Sequence, residues 1–360
     1  MPMWPNNPWR HPFRVPRIEK PRAEGRFHLT GGRRLGYAEY GDPSGPVVLW
    51  FHGTPGGRRQ FPLLGRRAAE KLGLRVVLVE RPGSGLSDPH PYHAVADWAA
   101  DIAQVADALG AERLGVIGLS GGGPYTLACA GAPALAGRVT AVAVLGGVTP
   151  SVGPDATATG PVELTRRFAP MLSSLRRPLA ALVAAGLLPV VPLGHWAYQG
   201  FSSVMPEADQ RVFADAEIQA MFIDDIALAA RGRFQAFVDD LRLFGRDWGF
   251  RLADVKAPVL WWHGDADPIV SLNEAQGAVS YLPDVEVILR PGHSHLGGFA
   301  DVDEILRLIR SFLWPNGRHA SINAADRAIG QLPRLNPRSF GIASTPTTSP
   351  GPLTFSGLSR

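Results

Sequence analysis

Six short segments of this 360-residue chain are apolar almost throughout and rich in β-branched residues. They are residues 47–51, 75–79, 114–118, 139–145, 259–262 and 285–289. Continuous apolar strands of this kind are typical of a parallel sheet that is covered on both faces. Between them, apolar residues recur at helical spacing from Val95 to Leu109, and Gly110 follows as a candidate helix cap. This alternation predicts an α/β fold with a mostly parallel central sheet flanked by helices.

Two parts of the chain depart from the strand–helix alternation: its beginning and a segment in the middle. Residues 26–30 and 34–40, joined by Gly31-Gly32, predict an opening antiparallel hairpin. From 150 to 252 helical segments replace the alternation, which resumes at Pro258. We therefore expect a core in two parts, residues 27–149 and 253–315, with residues 150–252 forming a helical cap between sheet strands. Such a cap would lie over a site formed by the strand ends.

The two ends of the chain differ in composition from the body. Residues 1–26 are rich in proline, which predicts an irregular N-terminal arm. Residues 316–360 are rich in Ser, Thr, Pro and Gly, which predicts a disordered C-terminal tail. The arm holds six Lys/Arg against two acidic residues and the tail holds five Arg against one, so the net charge of +4 comes from the ends. Because the body is mildly acidic, the sequence predicts no nucleic-acid partner.

Cysteine content and hydropathy indicate where the protein works. The single cysteine, Cys129, excludes an intramolecular disulfide and a cysteine-based zinc site. The N-terminus lacks an apolar run that resembles a signal peptide. The longest uncharged apolar stretch, residues 178–194, is shorter than the roughly 20 residues of a membrane span, and Pro189 and Pro192 interrupt it. We expect a cytoplasmic protein without a membrane span, in which this stretch forms an apolar helix over a pocket.

A G-x-S-x-G motif, Gly118 to Gly122, follows the third apolar segment. The residues after it begin like a helix, with Pro124 suited to a first turn. A serine between strand and helix in this motif is the nucleophile elbow, a strained turn that exposes the hydroxyl. Glycines two positions away let the backbones approach closely. The pattern predicts Ser120 as a nucleophile.

A serine nucleophile needs a base and an acid that orients the base. After an elbow, the expected chain order is Ser, then Asp or Glu, then His, each following a later strand. The fifth apolar segment is followed by HGDADPIV, with Asp265 and Asp267, and the sixth by RPGHSHL, with His293 and His295. Both residue types therefore occur where a catalytic triad requires them.

Four strings make the chain resemble the α/β-hydrolase family across roughly residues 27–315. HGTPG, RPGSGLSD, GLSGGGPY and HGDADPIV are similar to those of a large prokaryotic group of serine hydrolases. The resemblance implies Asp267 as the acid and His295 as the base, with His293 as the alternative base. It also implies an oxyanion hole formed by the backbone N–H groups of Thr54 and Gly121. The chain departs from the family at Glu80, where Asp is usual before R-P-G.

Two other interpretations of these residues are less favoured. His293 and His295 could ligate a metal with Asp265 and Asp267, but their place in the chain order favours the triad. Gly115, Gly118 and Gly121 lack the spacing of a dinucleotide-binding turn, and no acid follows the next strand. The sequence therefore predicts no cofactor and no metal.

The predicted function is that of a serine hydrolase working through an acyl-enzyme on a small-molecule substrate, with a carboxylic ester bearing an apolar part as the first expectation. One alternative is an amidase or an aminopeptidase similar to proline iminopeptidase, whose cap would bind the substrate amine through acidic residues. The candidates are two alternative clusters: Glu207, Asp209, Asp215 and Glu217, or Asp224 and Asp225. A second alternative is a ligand-binding protein with slow residual turnover. The sequence leaves the exact substrate and the oligomeric state open.

Overall fold

A computed structural model describes residues 19–187, 194–229, 234–313 and 334–335, and they are built around one nine-stranded sheet. The strands are β1 (Ala23–His28), β2 (Arg34–Gly41), β3 (Val47–Phe51), β4 (Arg75–Val79), β5 (Leu114–Leu119), β6 (Val139–Leu145), β7 (Val259–Gly264), β8 (Val285–Arg290) and β9 (Arg334–Leu335). Their spatial order is β1-β2-β4-β3-β5-β6-β7-β8-β9. The six strands from β4 to β8 in this order pair in parallel, while β1, β2 and β9 run antiparallel at the two edges.

All six predicted apolar segments form strands of the parallel part of the sheet. Their side chains alternate between two apolar layers, as β3 shows. Leu49 and Phe51 face the layer that packs on α2 (Trp98–Ala108) and α3 (Gly123–Gly131). Val48 and Trp50 face the layer that packs on α1 (Leu63–Leu72) and α11 (Val302–Leu313). Both faces of the strands are buried, which explains the lack of polar alternation in their sequences.

The predicted hairpin forms, but its first strand begins earlier than expected. Gly31 and Gly32 adopt φ angles of +86° and +82° in the turn, a conformation that favours glycine. β1 includes residues 23–26, which the sequence placed in the irregular arm, and it pairs with β2 as far as Ala23 opposite Glu39. Because β1 is an edge strand whose side chains alternate between half-buried and exposed, it has no continuous apolar run to mark it. The remainder of the arm, residues 1–18, lies outside the described residues.

Between β6 and β7, where the sequence predicted a helical insertion, the described residues form six α-helices. They are α4 (Gly160–Ser174), α5 (Arg176–Leu187), α6 (Gly194–Ser203), α7 (Glu207–Phe213), α8 (Ala216–Ala229) and α9 (Gln235–Phe244). We call α4–α9 the insertion. The apolar stretch 178–194 contributes to α5, and residues 188–193 of it lie outside the described residues. Throughout the described ranges, no helix has both the length and the hydropathy of a membrane span.

The chain after β7 completes the sheet. α10 (Leu272–Val279) connects β7 to β8, and α11 follows β8. Of the tail predicted to be disordered, Arg334–Leu335 form β9 and pair antiparallel with Val287 and Ile288 of β8. This short strand corrects the prediction at those two residues, because the edge of β8 offers backbone groups that a passing segment can bind. The rest of residues 316–360 lies outside the described residues.

Candidate active site

Ser120 lies at a sharp turn between β5 and α3. Its φ angle is +50°, a left-handed conformation that is strained for a residue with a side chain. A side chain at Gly118 would collide with Thr126 Oγ1, and one at Gly122 would collide with the carbonyl oxygen of Phe51. The glycines of the motif are therefore required by the close approach of β5, β3 and the start of α3.

His295 connects Ser120 to Asp267. Its Nδ1 lies 2.7 Å from Asp267 Oδ2, and its Nε2 lies 2.7 Å from Ser120 Oγ. Because an ionised carboxylate can only accept hydrogen bonds, the proton must be on Nδ1, and the Nδ1–H group donates a hydrogen bond to Asp267. Nε2 is then free to accept the hydrogen bond that the Ser120 hydroxyl donates. The three residues come from turns after β5, β7 and β8, which end at the same edge of the parallel sheet.

The charges of this group favour a proton-accepting histidine. Burial lowers the pKa of His295, but the charge of the Asp267 carboxylate and its hydrogen bond outweigh burial and raise that pKa above 6.5. Burial by itself would raise the pKa of Asp267, yet His295 and the backbone N–H of Val270 outweigh burial and bring that pKa below 3.8. Asp267 is therefore ionised at neutral pH. His263, buried beside it, has a pKa lowered mainly by burial and stays neutral.

The two alternative residues in the same turns have other partners. His293 stacks edge-on against Trp262, with ring centroids 6.0 Å apart. Asp265 is exposed, and its carboxylate accepts a hydrogen bond of 2.7 Å from the backbone N–H of Gly292. Asp265 thus stabilises the turn before His295, and it is Asp267 and His295 that the structure brings together with Ser120.

Thr54 and Gly121, the two residues expected to supply the oxyanion hole, lie against each other. Thr54 follows β3 and Gly121 follows Ser120, so both stand at the ends of neighbouring parallel strands. A Cβ at residue 121 would come within 2.8 Å of Thr54 Cβ, so glycine is needed for this contact. The ring of Phe244, the last residue of α9, lies 3.1 Å from the same point.

The loop that carries Thr54 is held by buried polar side chains. Arg81 donates from Nη1 to the carbonyl of His52 at 2.6 Å and from Nη2 to the carbonyl of Gly53 at 2.8 Å. The backbone N–H of Arg81 donates to His52 Nε2, which leaves the proton on Nδ1, and Nδ1 donates to the Gly53 carbonyl at 2.8 Å. Gln60 accepts from the Gly53 N–H at 2.5 Å. Burial and the charge of Arg81 keep the pKa of His52 well below 6.5, so this histidine is neutral.

Asp240 of α9 neutralises Arg81 from the insertion side. Its Oδ2 accepts from Arg81 Nη2 at 2.7 Å and from the Thr54 hydroxyl at 2.6 Å, while its Oδ1 accepts from the Tyr125 hydroxyl at 2.7 Å. Arg81 and Asp240 are both buried, and the guanidinium also lies over the Tyr125 ring. The sequence alone predicts no role for either residue. The only signal was the string R-P-G directly after a buried strand.

Two further carboxylates of the insertion bind loops of the core. Asp209 in α7 accepts from the Ser294 hydroxyl at 2.7 Å and from the Leu296 N–H at 2.9 Å, so it binds both neighbours of His295. Asp225 in α8 accepts from the N–H groups of Gly57 and Arg59, each at 2.9 Å. With Asp240, three buried carboxylates attach the insertion to the loops after β3 and β8.

Glu80, the departure from the family pattern, supports the turn after β4. Its carboxylate pairs with Arg58 at 2.7 Å and accepts from the Leu86 N–H at 2.6 Å. It fills the space beside Gly36 and Gly85, where any side chain would collide with it. Elsewhere, a search of the described residues for three or more clustered His, Cys, Asp or Glu side chains suited to a metal found none.

A strained serine after a parallel strand is hydrogen-bonded to a histidine, and that histidine to an aspartate, with both partners placed after later strands. This strand–turn–helix setting for a serine is typical of α/β-hydrolase sheets. The family model described as "Alpha/beta hydrolase family" matches residues 47–307. The chain belongs to the alpha/beta hydrolase family, and the predicted fold class is confirmed.

Curated relatives match a limited part of the chain. A proline iminopeptidase of Xanthomonas citri is 33% identical over 121 residues, which cover 33% of this chain and 38% of the relative. A proline iminopeptidase of Xylella fastidiosa strain Temecula1 is 34% identical over 113 residues, 31% of this chain and 36% of the relative. The chain thus spans little more than a third of the length of these relatives.

Solved structures match over most of the chain at low sequence identity. An esterase from Rhodococcus sp. ECU1013 is 20% identical with a TM-score of 0.58, and the match covers 82% of this chain and 99% of that one. A likeness at this level of identity shows the fold alone.

Proposed function

We propose that this protein is a serine hydrolase that cleaves carboxylic esters with an apolar part through an acyl-enzyme. The observation that supports the proposal most strongly is the position of His295, at 2.7 Å from both Ser120 Oγ and Asp267 Oδ2. This is the arrangement in which an imidazole removes the proton of a serine hydroxyl while a carboxylate stabilises the resulting imidazolium.

In the proposed reaction, Ser120 Oγ attacks the carbonyl carbon of the ester, and its proton passes to His295 Nε2. The carbonyl oxygen becomes an oxyanion that accepts hydrogen bonds from the N–H groups of Thr54 and Gly121. The tetrahedral intermediate expels the alcohol, which takes the proton from His295. A water molecule then attacks the acyl-enzyme, again with His295 as base, and releases the carboxylic acid and Ser120.

The esterase proposal is favoured over an aminopeptidase by the partners of the acidic residues. An aminopeptidase would need free carboxylates in the insertion to bind the substrate amine. Asp209 and Asp225 are buried and accept hydrogen bonds from the core, and Asp224 pairs with Arg59 at 2.9 Å. Glu217 lies 3.7 Å from Arg67, and Asp215 accepts from backbone N–H groups at the start of α8. Of the six candidates, five already have partners.

The apolar part of the substrate is inferred from the surroundings of the oxyanion position. Phe244 lies beside Gly121, and it packs against Tyr125 in the apolar layer of the core. An aromatic wall next to the reacting carbonyl favours an apolar acyl or alkyl group. The proposed substrate remains a small molecule, and the cytoplasmic location remains a prediction from the single cysteine.

The proposal is tested by comparing p-nitrophenyl esters of increasing acyl length with prolyl and other aminoacyl nitroanilides. Ester hydrolysis that disappears in Ser120→Ala, together with slow or no anilide cleavage, would support it. Preferential cleavage of a prolyl anilide would establish the aminopeptidase instead. A fluorophosphonate probe that labels Ser120 in a protein with no turnover of either series would favour the ligand-binding alternative.

A further inference from the structure

The peptide group between Gly53 and Thr54 is bound on one side by a charged network. Its carbonyl oxygen accepts from Arg81 Nη2 at 2.8 Å and from His52 Nδ1 at 2.8 Å. The peptide is trans, so its N–H points in the direction opposite to its carbonyl. The two hydrogen bonds to the Gly53 oxygen therefore fix the direction of the Thr54 N–H.

This N–H is one of the two proposed oxyanion donors, and its strength depends on the same contacts. Hydrogen bonds to a peptide carbonyl draw electrons toward the oxygen and make the N–H of that peptide a better donor. A guanidinium is a stronger partner than a neutral group because its hydrogen bonds are charge-assisted. Arg81 is only 2% exposed, so water weakens this effect little.

Asp240 makes the arrangement compatible with folding. A buried guanidinium without a partner would be costly, and the Asp240 carboxylate neutralises it through Nε at 3.0 Å and Nη2 at 2.7 Å. Asp240 also accepts from the Thr54 hydroxyl at 2.6 Å, so it fixes the side chain of the residue whose backbone donates. The buried ion pair is costly to desolvate, but it also fixes the orientation of the Gly53–Thr54 peptide at the site.

We infer that Arg81 and Asp240 are positioning residues for the reaction: Arg81 orients and polarises the Gly53–Thr54 peptide so that the Thr54 N–H stabilises the oxyanion, and Asp240 of the insertion holds Arg81 in place. The inference rests on the proposed serine-hydrolase function. It assigns to the insertion a part in the chemical step in addition to any part in substrate selection.

The test compares Arg81→Lys with Arg58→Lys, a second buried and ion-paired arginine whose side chain contacts Glu80 and Glu24 instead of the carbonyls of His52 and Gly53. Lysine keeps the charge but lacks the planar set of N–H donors that holds two carbonyls at once. For Arg81→Lys we expect kcat on a p-nitrophenyl ester to fall about 10- to 100-fold, somewhat less than for loss of a whole oxyanion donor, with KM changed less than about threefold. The inhibition constant of a trifluoromethyl ketone, which forms a tetrahedral adduct with the serine, should rise in parallel. Arg58→Lys should leave kcat within about threefold.

A second pair of variants covers the case in which Arg81→Lys does not fold. Asp240→Asn should lower kcat and weaken ketone inhibition in the same way, while Asp239→Asn, on the same helix but paired with Arg176, should not. The amide ¹⁵N resonance of Thr54 should move in Asp240→Asn and not in Asp239→Asn, and this readout does not require catalysis.

Two results would overturn the inference. One is a kcat loss in Arg81→Lys no larger than that in Arg58→Lys. The other is a kcat loss without any change in ketone inhibition or in the Thr54 resonance, which would make the pair purely structural. If the wild type hydrolyses no ester, the proposed function fails, and the Thr54 resonance still decides whether the pair controls the peptide.

Discussion

The carboxylate of Asp209 binds the Ser294 hydroxyl at 2.7 Å, and through it an insertion helix contacts the residue directly before the catalytic-base candidate. The other oxygen of Asp209 binds the N–H of Leu296, directly after His295. The backbone on both sides of the imidazole is therefore fixed from outside the core. The negative charge of Asp209 also contributes to the raised pKa of His295.

We expect Asp209→Asn to destabilise the protein and to shift its pH profile. The amide keeps one oxygen that can accept from the Leu296 N–H, but its NH2 group cannot accept from the Ser294 hydroxyl as the second carboxylate oxygen does. The free energy of unfolding should therefore fall by about 1–3 kcal/mol. Without the charge, the pKa of His295 falls, and the acidic limb of kcat/KM should move to lower pH. Urea unfolding and a pH–rate profile measure the two effects. Asp265→Asn, which affects an exposed acid in a neighbouring turn, is the control, and an equal shift there would contradict the role of Asp209.

The assignment of the base is tested by two alanine variants. His295→Ala should lower turnover by about 10³-fold or more, as loss of a triad member does. His293→Ala should cost far less, because His293 packs against Trp262 instead of contacting Ser120. Steady-state kinetics on one ester substrate compare them directly, and a reversed order of losses would move the base to His293.

The pH dependence of the wild type follows from the raised pKa of His295. The base works only when neutral, so activity is lost as the pH falls through that pKa. Because the pKa lies above 6.5, the acidic limb of kcat/KM should have its midpoint above pH 6.5. A midpoint below this value, measured with a substrate that does not itself titrate, would contradict the stated balance between burial and Asp267.

Removal of the Asp267 charge should move the acidic limb of kcat/KM to lower pH. In Asp267→Asn, burial is left to lower the pKa of His295 without the carboxylate that raises it, so the limb shifts to lower pH. Turnover should also fall by roughly 10⁴-fold, because the favoured tautomer of the imidazole changes. An unchanged midpoint in a folded variant would place the controlling carboxylate elsewhere.

The glycines of the elbow give a test of packing. Gly122→Ala should destabilise the protein by about 1–3 kcal/mol, because the added methyl would collide with the carbonyl of Phe51. Gly200→Ala provides the matched substitution: it lies inside α6, and apart from the adjacent helix backbone no described atom lies within 4 Å of its added methyl. Helix propensity should make this variant more stable by about 0.5–1 kcal/mol. Thermal unfolding should show a lower midpoint than wild type for Gly122→Ala and a higher one for Gly200→Ala.

Local signals in the sequence were sufficient to predict the parallel strands and the serine at their edge. Strands buried on two faces are apolar throughout. The glycines around Ser120 indicate a tight turn in which backbones approach closely. The order of the later turns then limited the partners to Asp265 or Asp267 and to His293 or His295. Resemblance to the family selected within each pair, and the structure brings the selected residues to Ser120.

The buried charge network could not be predicted in this way. Arg81 and Asp240 are 159 residues apart, and nothing near either one in the chain indicates the other. Partners of buried charges are determined by how the insertion packs on the core, which has no local pattern. The start of β1 at Ala23 was missed for a related reason, because an edge strand exposed on one side has few apolar residues to reveal it.

The three carboxylates that join the insertion to the core also limit how this enzyme could be recombined. Asp209, Asp225 and Asp240 are each buried, and their partners lie in the loop after β8, in the loop after β3 and at Arg81. A graft of α4–α9 onto another hydrolase scaffold would bury these acidic groups without their donors, at a cost of about 1–3 kcal/mol for each unsatisfied group. The helices and the loops that they bind would therefore have to be transferred together for the buried contacts to be kept.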